Sequence, residues 1–403
     1  MKKVHEYIID RWKNTVRSEK IEDGRINLPY PFSVPCESEM YTSFFYWDTY
    51  FINRGLIFDD PSQARNNLLN MKYMIEQIGY VPNSNLQCML NRSQPPLFAE
   101  AVQDFCEVTG DFNMARECFS AIEKETAFWE SRRKSEIGLN FYRVDADEAS
   151  LEEFLGLLKE RGIVEKDKTS LKIAEEYYTE AESGWDFTSR FESRGLQYIP
   201  LDLNCILYKR EVLLSKYAGC FGDEEKRRRY KEAAERRRGL IEKYLFDGET
   251  GFYRDYNYVE NKFSPVISTA SFMPFWAGIN TDPKLCAAVL QKLEFENGVS
   301  ATEKIAANGI KQWDYPNMWP PLVYFAFKAL QAVGLQEECR RIAKKYMNTV
   351  ERTFEESGSL WEKYSALSGG KSTWNEYESP RMLGWTAGVY ENFYYEMLRL
   401  EKQ

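Results

Sequence analysis

Apolar positions recur at three- and four-residue intervals through most of the chain, and breakers separate the repeats. This periodicity predicts helices over residues 61–79, 96–110, 111–133, 201–222 and 223–247. Further helices are predicted over 281–295, 320–334, 335–357 and the aromatic-rich segment 383–403. Strand-like alternation is rare and short. The helices follow one another through Gly-Asp, Gly-Leu and Phe-Gly-Asp turns, so they read as helical hairpins. A lone hairpin cannot bury its apolar face, but about six of them stacked in a ring can. No Gly/Ser or Pro-rich linker interrupts the pattern, and residues 1–403 are expected to form one all-α domain.

Three segments depart from the plain helical pattern. GLNFYRVD (138–145), FDGETGFYRDYN (246–257) and, more loosely, SGSLWEKYS (357–365) each place a Gly turn before an aromatic residue and charge. They are expected to be short hairpins on one rim of the ring. The charged stretch 145–170 reads as a surface insertion or a flap over a pocket. Its Asp145, Asp147 and Glu148 are expected to be a solvated acidic loop rather than a cation site.

Composition narrows the chemistry. A net charge of -9 disfavours nucleic acid or an anionic membrane as partner, because both need a basic surface. No apolar run approaches the ~20 residues of a membrane span, and the N-terminus lacks a signal-like core, so a cytoplasmic location is expected. The eight cysteines show no C-x-x-C spacing and are expected to be free thiols. A single histidine, His5, argues against a Ser/His/Asp triad, a Cys/His pair or a multi-histidine metal site. Acid/base work would then fall to carboxylates, with neither a metal nor an organic cofactor.

Three Trp-Asp pairs, Trp47-Asp48, Trp185-Asp186 and Trp313-Asp314, stand about a third of the chain apart in aromatic surroundings. An indole face suits the C–H face of a sugar ring, and an adjacent carboxylate can accept from hydroxyls or handle a proton. One aromatic, acidic carbohydrate pocket assembled from three parts of the chain is therefore expected, with a small neutral carbohydrate as partner.

Four patches resemble the trehalases, inverting glycosidases of the (α/α)6 barrel type. These are FYWDTYF (45–51), VPNSN with NRSQPP (81–85, 91–96), ESGWDFTSRF (182–191) and QWDYPNMWPP (312–321). The resemblance implies an (α/α)6 toroid with Asp186 as general acid and Glu376 of NEYESPRMLGW as general base. In such a pair one carboxyl protonates the leaving oxygen and the other activates water, ~6.5–9.5 Å away. Asn83, Asp48 and Asp314 are expected to hold hydroxyls, Arg92 and Gln94 to bind through planar groups, and Trp47, Trp185 and Trp313 to supply ring faces. Glu182 is expected to orient an arginine or the acid.

The chain also departs from the family. The Pro-Gly-Gly-Arg stretch before the first Trp-Asp is replaced by PFSVPCESEMYTS (31–43), and the Arg-Pro-Glu segment upstream of the acid is absent, leaving Arg143 as the candidate stand-in. Trehalose is the leading substrate, and a different α-glucoside, of another sugar or of a small acid such as glycerate, is the alternative. A non-catalytic sugar-binding protein would tolerate loss of Asp186 or Glu376, both of which are present.

Overall fold

The computed structural model describes residues 1–38, 41–305, 311–372 and 380–401. Fourteen helices are found among them. The first seven are α1 (Lys2–Arg11), α2 (Tyr46–Asp59), α3 (Pro61–Ile78), α4 (Phe98–Thr109), α5 (Asn113–Arg132), α6 (Glu148–Glu160) and α7 (Leu171–Glu182). The second seven are α8 (Leu201–Phe221), α9 (Glu224–Tyr244), α10 (Met273–Trp276), α11 (Pro283–Leu293), α12 (Pro320–Ala332), α13 (Gln336–Ser357) and α14 (Gly384–Glu401).

Local chemistry sets the helix ends. Asp60 accepts from the Gln63 amide ahead of Pro61, and the helix stops at Gly79, whose φ of 95° suits glycine. Asp223 and Asp282 cap α9 and α11 in the same way. Pro320 and Pro321 open α12, where no intrahelical N–H is needed.

Packing closes these helices into the (α/α)6 toroid. An inner ring runs α2, α4, α8, α10, α12, α14 and back to α2, each helix packed on the next. The outer helices α3, α5, α9, α11 and α13 cover it, and α1 packs on α14. The inner helix α2 is buried all round from Tyr46 to Ile57, whereas α9 buries only the stripe Tyr230, Ala234, Arg237 and Ile241. Glycines let α2 and α14 approach closely: a Cβ added at Gly388 would collide with the Phe51 carbonyl oxygen, and one at Gly55 would lie 3.0 Å from the Gly388 Cα.

Of the three expected rim hairpins, only FDGETGFYRDYN forms one, pairing Phe246–Asp247 with Phe252–Tyr253. The segment SGSLWEKYS instead pairs Tyr364–Ser365 with the distant Asn317–Met318, which brings Glu362 toward the ring axis. GLNFYRVD makes a single bridge, Asn140 with Lys134. The insertion 145–170 contains α6, which packs on α7.

Candidate active site

One cavity of about 240 Å³ opens at the end of the ring where the loops lead into the inner helices. This is just below the ~300–1,000 Å³ of drug-sized pockets, a size that suits a short saccharide. Its lining includes Trp47, Asp48, Asn83, Arg92, Gln94, Asp186 and Trp313, seven residues singled out from the sequence. Gln312, Glu362 and Trp385 complete the inner wall, and Phe154, Leu157 and Arg161 of the insertion stand on it as well.

The floor is an indole cluster. Trp313 stacks on Trp319 with ring centres 3.7 Å apart and planes inclined by 2°. Trp47 and Trp185 approach Trp313 at 5.7 Å each, from two other parts of the chain. Trp385 meets Trp319 edge-on at 5.7 Å and donates its indole N–H to the Glu362 carbonyl at 2.9 Å. Such stacked, tilted and edge contacts fix the rings as a rigid apolar surface.

The loop before α4 carries three polar groups into the cavity. Its backbone is tied down by Asn83 N–H donating to the Arg92 carbonyl (2.8 Å) and Tyr46 N–H donating to the Asn83 carbonyl (3.1 Å). The Gln94 side-chain oxygen accepts from the Trp47 amide at 3.0 Å, which fixes its orientation. The Arg92 guanidinium lies 4.7 Å over the Tyr178 ring, and its buried Nε has no hydrogen-bond partner among the described residues, a donor available to a sugar hydroxyl.

Asp186 sits in the turn after α7. Gly184, at φ 75°, makes this turn possible: a Cβ there would lie 2.9 Å from the Trp47 ring. Burial pushes the Asp186 carboxyl up to about 6, with the Glu362 charge adding to the rise and Arg92 and Arg161 opposing it. Asp48 is held up at about 7, mainly by burial and then by the Glu362 and Asp186 charges. Glu362 is itself buried, with Lys363 Nζ 3.1 Å from its Oε2 and the same ammonium donating to Gln312 Oε1 at 3.1 Å.

Asp314 and Trp185, expected to contact the ligand, lie behind the cavity wall instead, and so does Glu182. Asp314 is fully buried and accepts from Ser189 N–H (2.8 Å), Ser189 Oγ (2.6 Å) and Lys311 N–H (2.8 Å), so it braces the loop after Asp186 and has no face toward a hydroxyl. Trp185 is covered by the Arg190 guanidinium at 4.1 Å, which Asp202 and Asp255 clamp in turn. Glu182 accepts from Ser93 N–H (2.8 Å), Arg143 N–H (2.6 Å) and Arg133 Nε (3.1 Å). It therefore orients an arginine and ties the loop before α4 to α7. The Arg143 side chain is exposed and outside the cavity. Glu376 falls outside the described residues.

Sequence reasoning passed over Glu362, Gln312 and Arg161. The Trp-Glu-Lys-Tyr stretch was visible as an aromatic-acidic turn, but its pairing with Asn317–Met318 was not.

The trehalase family model matches residues 1–397. The chain is 29% identical to a trehalase of Apis mellifera over 94% of its own length and 66% of that protein's. It is 28% identical to a periplasmic trehalase of Salmonella choleraesuis, over 96% of this chain and 72% of the relative. It thus spans about two thirds of the curated relatives it matches. Among solved structures, a neutral trehalase from Saccharomyces cerevisiae superposes with a TM-score of 0.76 at 23% identity, covering 98% of this chain and 80% of that one. A GH63 mannosylglycerate hydrolase from Thermus thermophilus does so with 0.70 at 16% identity, over 97% of this chain and all of that one.

Proposed function

The chain belongs to the trehalase family, and on that premise we propose that it is an inverting glycoside hydrolase acting on a short α-linked glucoside, with trehalose the leading substrate. The observation that carries the reading is a carboxyl raised to about 6, Asp186, in a cavity floored by indoles and ringed by planar hydroxyl-binding groups. Such a carboxyl holds its proton up to about pH 6, well above the ordinary carboxylate range, and can give it to a departing oxygen.

In this reading one sugar ring lies on the indole floor with its hydroxyls held by Asn83, Arg92, Gln94 and Asp48. Asp186 protonates the glycosidic oxygen as the C1–O bond breaks. Glu376 takes a proton from a water that attacks C1 from the opposite face, so the configuration at C1 inverts. Glu362, which contacts Lys363, adds to the burial that raises the Asp186 carboxyl and so favours its protonated form.

The names of the honeybee and Salmonella relatives support trehalose. The departures in segments 31–43 and 145–170 favour the second reading, in which the same machinery serves another α-glucoside, of a different sugar or a small hydroxy acid. The reading takes residues 1–403 as one domain, since α1 packs against α14. It also takes a cytoplasmic setting, supported by eight free cysteines of which six are buried, although the Salmonella relatives are named as periplasmic.

A proton NMR time course with trehalose and a panel of α-glucosides tests it. Trehalose cleavage that releases one β- and one α-glucose first supports both substrate and inversion. Cleavage of another glycoside alone moves the assignment to the second reading. Release of only the retained anomer removes the inverting mechanism.

A further inference from the structure

The insertion brings three side chains to the cavity, Phe154 and Leu157 of α6 and Arg161 at its C-cap, at an i, i+3, i+7 spacing that puts them on one face. These are not residues of the matched family motifs, and they stand in the segment where the chain lacks the family's Arg-Pro-Glu stretch. Helix α6 is anchored to the rest of the site. The Phe154 ring stacks on Tyr178 of α7 with centres 3.9 Å apart, and Tyr178 carries the Arg92 guanidinium. Leu155 and Leu158, on the adjoining flank of α6, pack with Val164, Ala174, Tyr177 and Phe187 beside Asp186, and Phe154 packs against the same cluster.

Depth divides the cavity in two. Trp47, Trp313 and Trp385 at the inner end are buried, whereas Leu157 is 36% exposed and Arg161 is exposed. A single sugar ring on the indole floor leaves the outer part to whatever is linked to it. There the wall is an apolar strip ending in a planar multi-donor cation, a surface that packs the C–H face of a second ring and donates to its hydroxyls. Three acidic side chains, Asp48, Asp186 and Glu362, line the same cavity, and an additional anion there would add to the negative charge that forms as they ionise.

We propose that α6 forms an outer subsite for the second, neutral sugar unit, with Arg161 as the hydroxyl-binding residue and Leu157 and Phe154 as its apolar wall. The proposal rests on the glycoside-hydrolase reading and assigns specificity for the linked unit to a segment outside the family motifs.

Calorimetric binding of a sulfur-linked α,α-diglucoside, which cannot be hydrolysed, and of glucose tests it. Wild type, Arg161→Ala, Arg161→Lys and, as control, Arg143→Ala are compared after thermal melts verify folding. Arg161→Ala is expected to weaken the two-ring ligand about ten- to a hundredfold and to leave glucose affinity unchanged. Arg161→Lys restores part of the loss, and Arg143→Ala behaves as wild type. Equal losses for both ligands, or no preference of wild type for two rings over one, overturns the subsite. A larger loss for a glucosyl carboxylic acid than for the diglucoside overturns the neutral-ring assignment. If wild type binds the thio-diglucoside yet cleaves none of the α-glucosides, the hydrolytic reading falls while the outer subsite stands.

Discussion

Asp48 and Asp186 face the same cavity, and the charge of Asp186 adds to the burial that holds the Asp48 carboxyl at about 7. The two therefore ionise in sequence, Asp186 first at about 6. If Asp186 is the acid, its active form is the protonated one, so kcat/KM should fall as pH rises through about 6. A rate flat from pH 5 to pH 8 would count against that role. In Asp186→Asn the neighbouring charge is gone, so Asp48 should titrate below about 7 when followed by carboxyl carbon NMR.

Gly184 tests the geometry of the acid's turn. An alanine there must adopt a left-handed φ and also enter the Trp47 ring. The backbone strain costs about 1–2 kcal/mol, and the overpacking roughly 1–3 kcal/mol more. Gly222→Ala, with φ 82° and no atom within 4 Å of the added Cβ, carries the strain alone. Urea denaturation of both variants should separate the two terms, and only Gly184→Ala should lose turnover, by displacing Asp186.

Glu182→Gln removes a buried negative charge that faces buried Arg133. Uncompensated burial of one partner costs about 3–5 kcal/mol. The lower end is expected here, because Asp145 still lies 3.1 Å from Arg133. The Ser93 amide loses its carboxylate acceptor, so Arg92 and Gln94 should shift and KM should rise more than kcat falls. Unchanged KM in a folded variant would mean that the loop is held by its backbone bonds alone.

Much of this arrangement could be read from the sequence, for reasons that differ by element. The boundaries of α3, α9 and α11 were legible because Asp caps and Pro or Gly punctuation act locally. Helix α2 carries the first Trp-Asp pair and was not legible as a helix, because burial on every side erases the polar stripe from which periodicity is read. The three Trp-Asp pairs did mark the indole cluster, but identical dipeptides took different roles. Asp186 follows a left-handed Gly184 and enters the cavity, while Asp314 folds back onto Ser189 and Lys311. Glu362 reaches the site through pairing of residues 364–365 with 317–318, a long-range contact that no local pattern encodes. Arg161 was hidden in a segment whose charge reads as solvated surface.

The roles of Glu376 and Glu362 can be told apart chemically. If Glu376 is the base, Glu376→Ala removes the group that activates water, and turnover should drop by at least about a hundredfold. Added azide, which needs no deprotonation, should restore glycosyl transfer and give the glycosyl azide of inverted configuration. Glu362→Ala leaves the base in place and removes a charge that favours the protonated acid, so its loss should be smaller, unresponsive to azide, and accompanied by a shift of the alkaline limb to lower pH. Azide rescue of Glu362→Ala instead would exchange the two assignments.

Glu100, at the start of the inner helix α4, is 2% exposed and neither of its carboxyl oxygens has a hydrogen-bond partner among the described residues. Burial raises it from 4.5 to about 7, against the pull of Arg210. Below pH 4.5 the group is protonated in both folded and unfolded chains, so it imposes no charge-burial cost. As pH rises from 4.5 to about 7 the unfolded chain loses the proton while the folded chain keeps it, and stability declines. Above about 7 the folded protein carries a buried charge and the decline is complete. Glu100→Gln removes this titration, so its melting temperature should match or fall slightly below wild type at pH 4.5 and exceed it at pH 8. A difference between the two melting curves that does not change with pH would show that the Arg210 charge fully offsets the burial of Glu100.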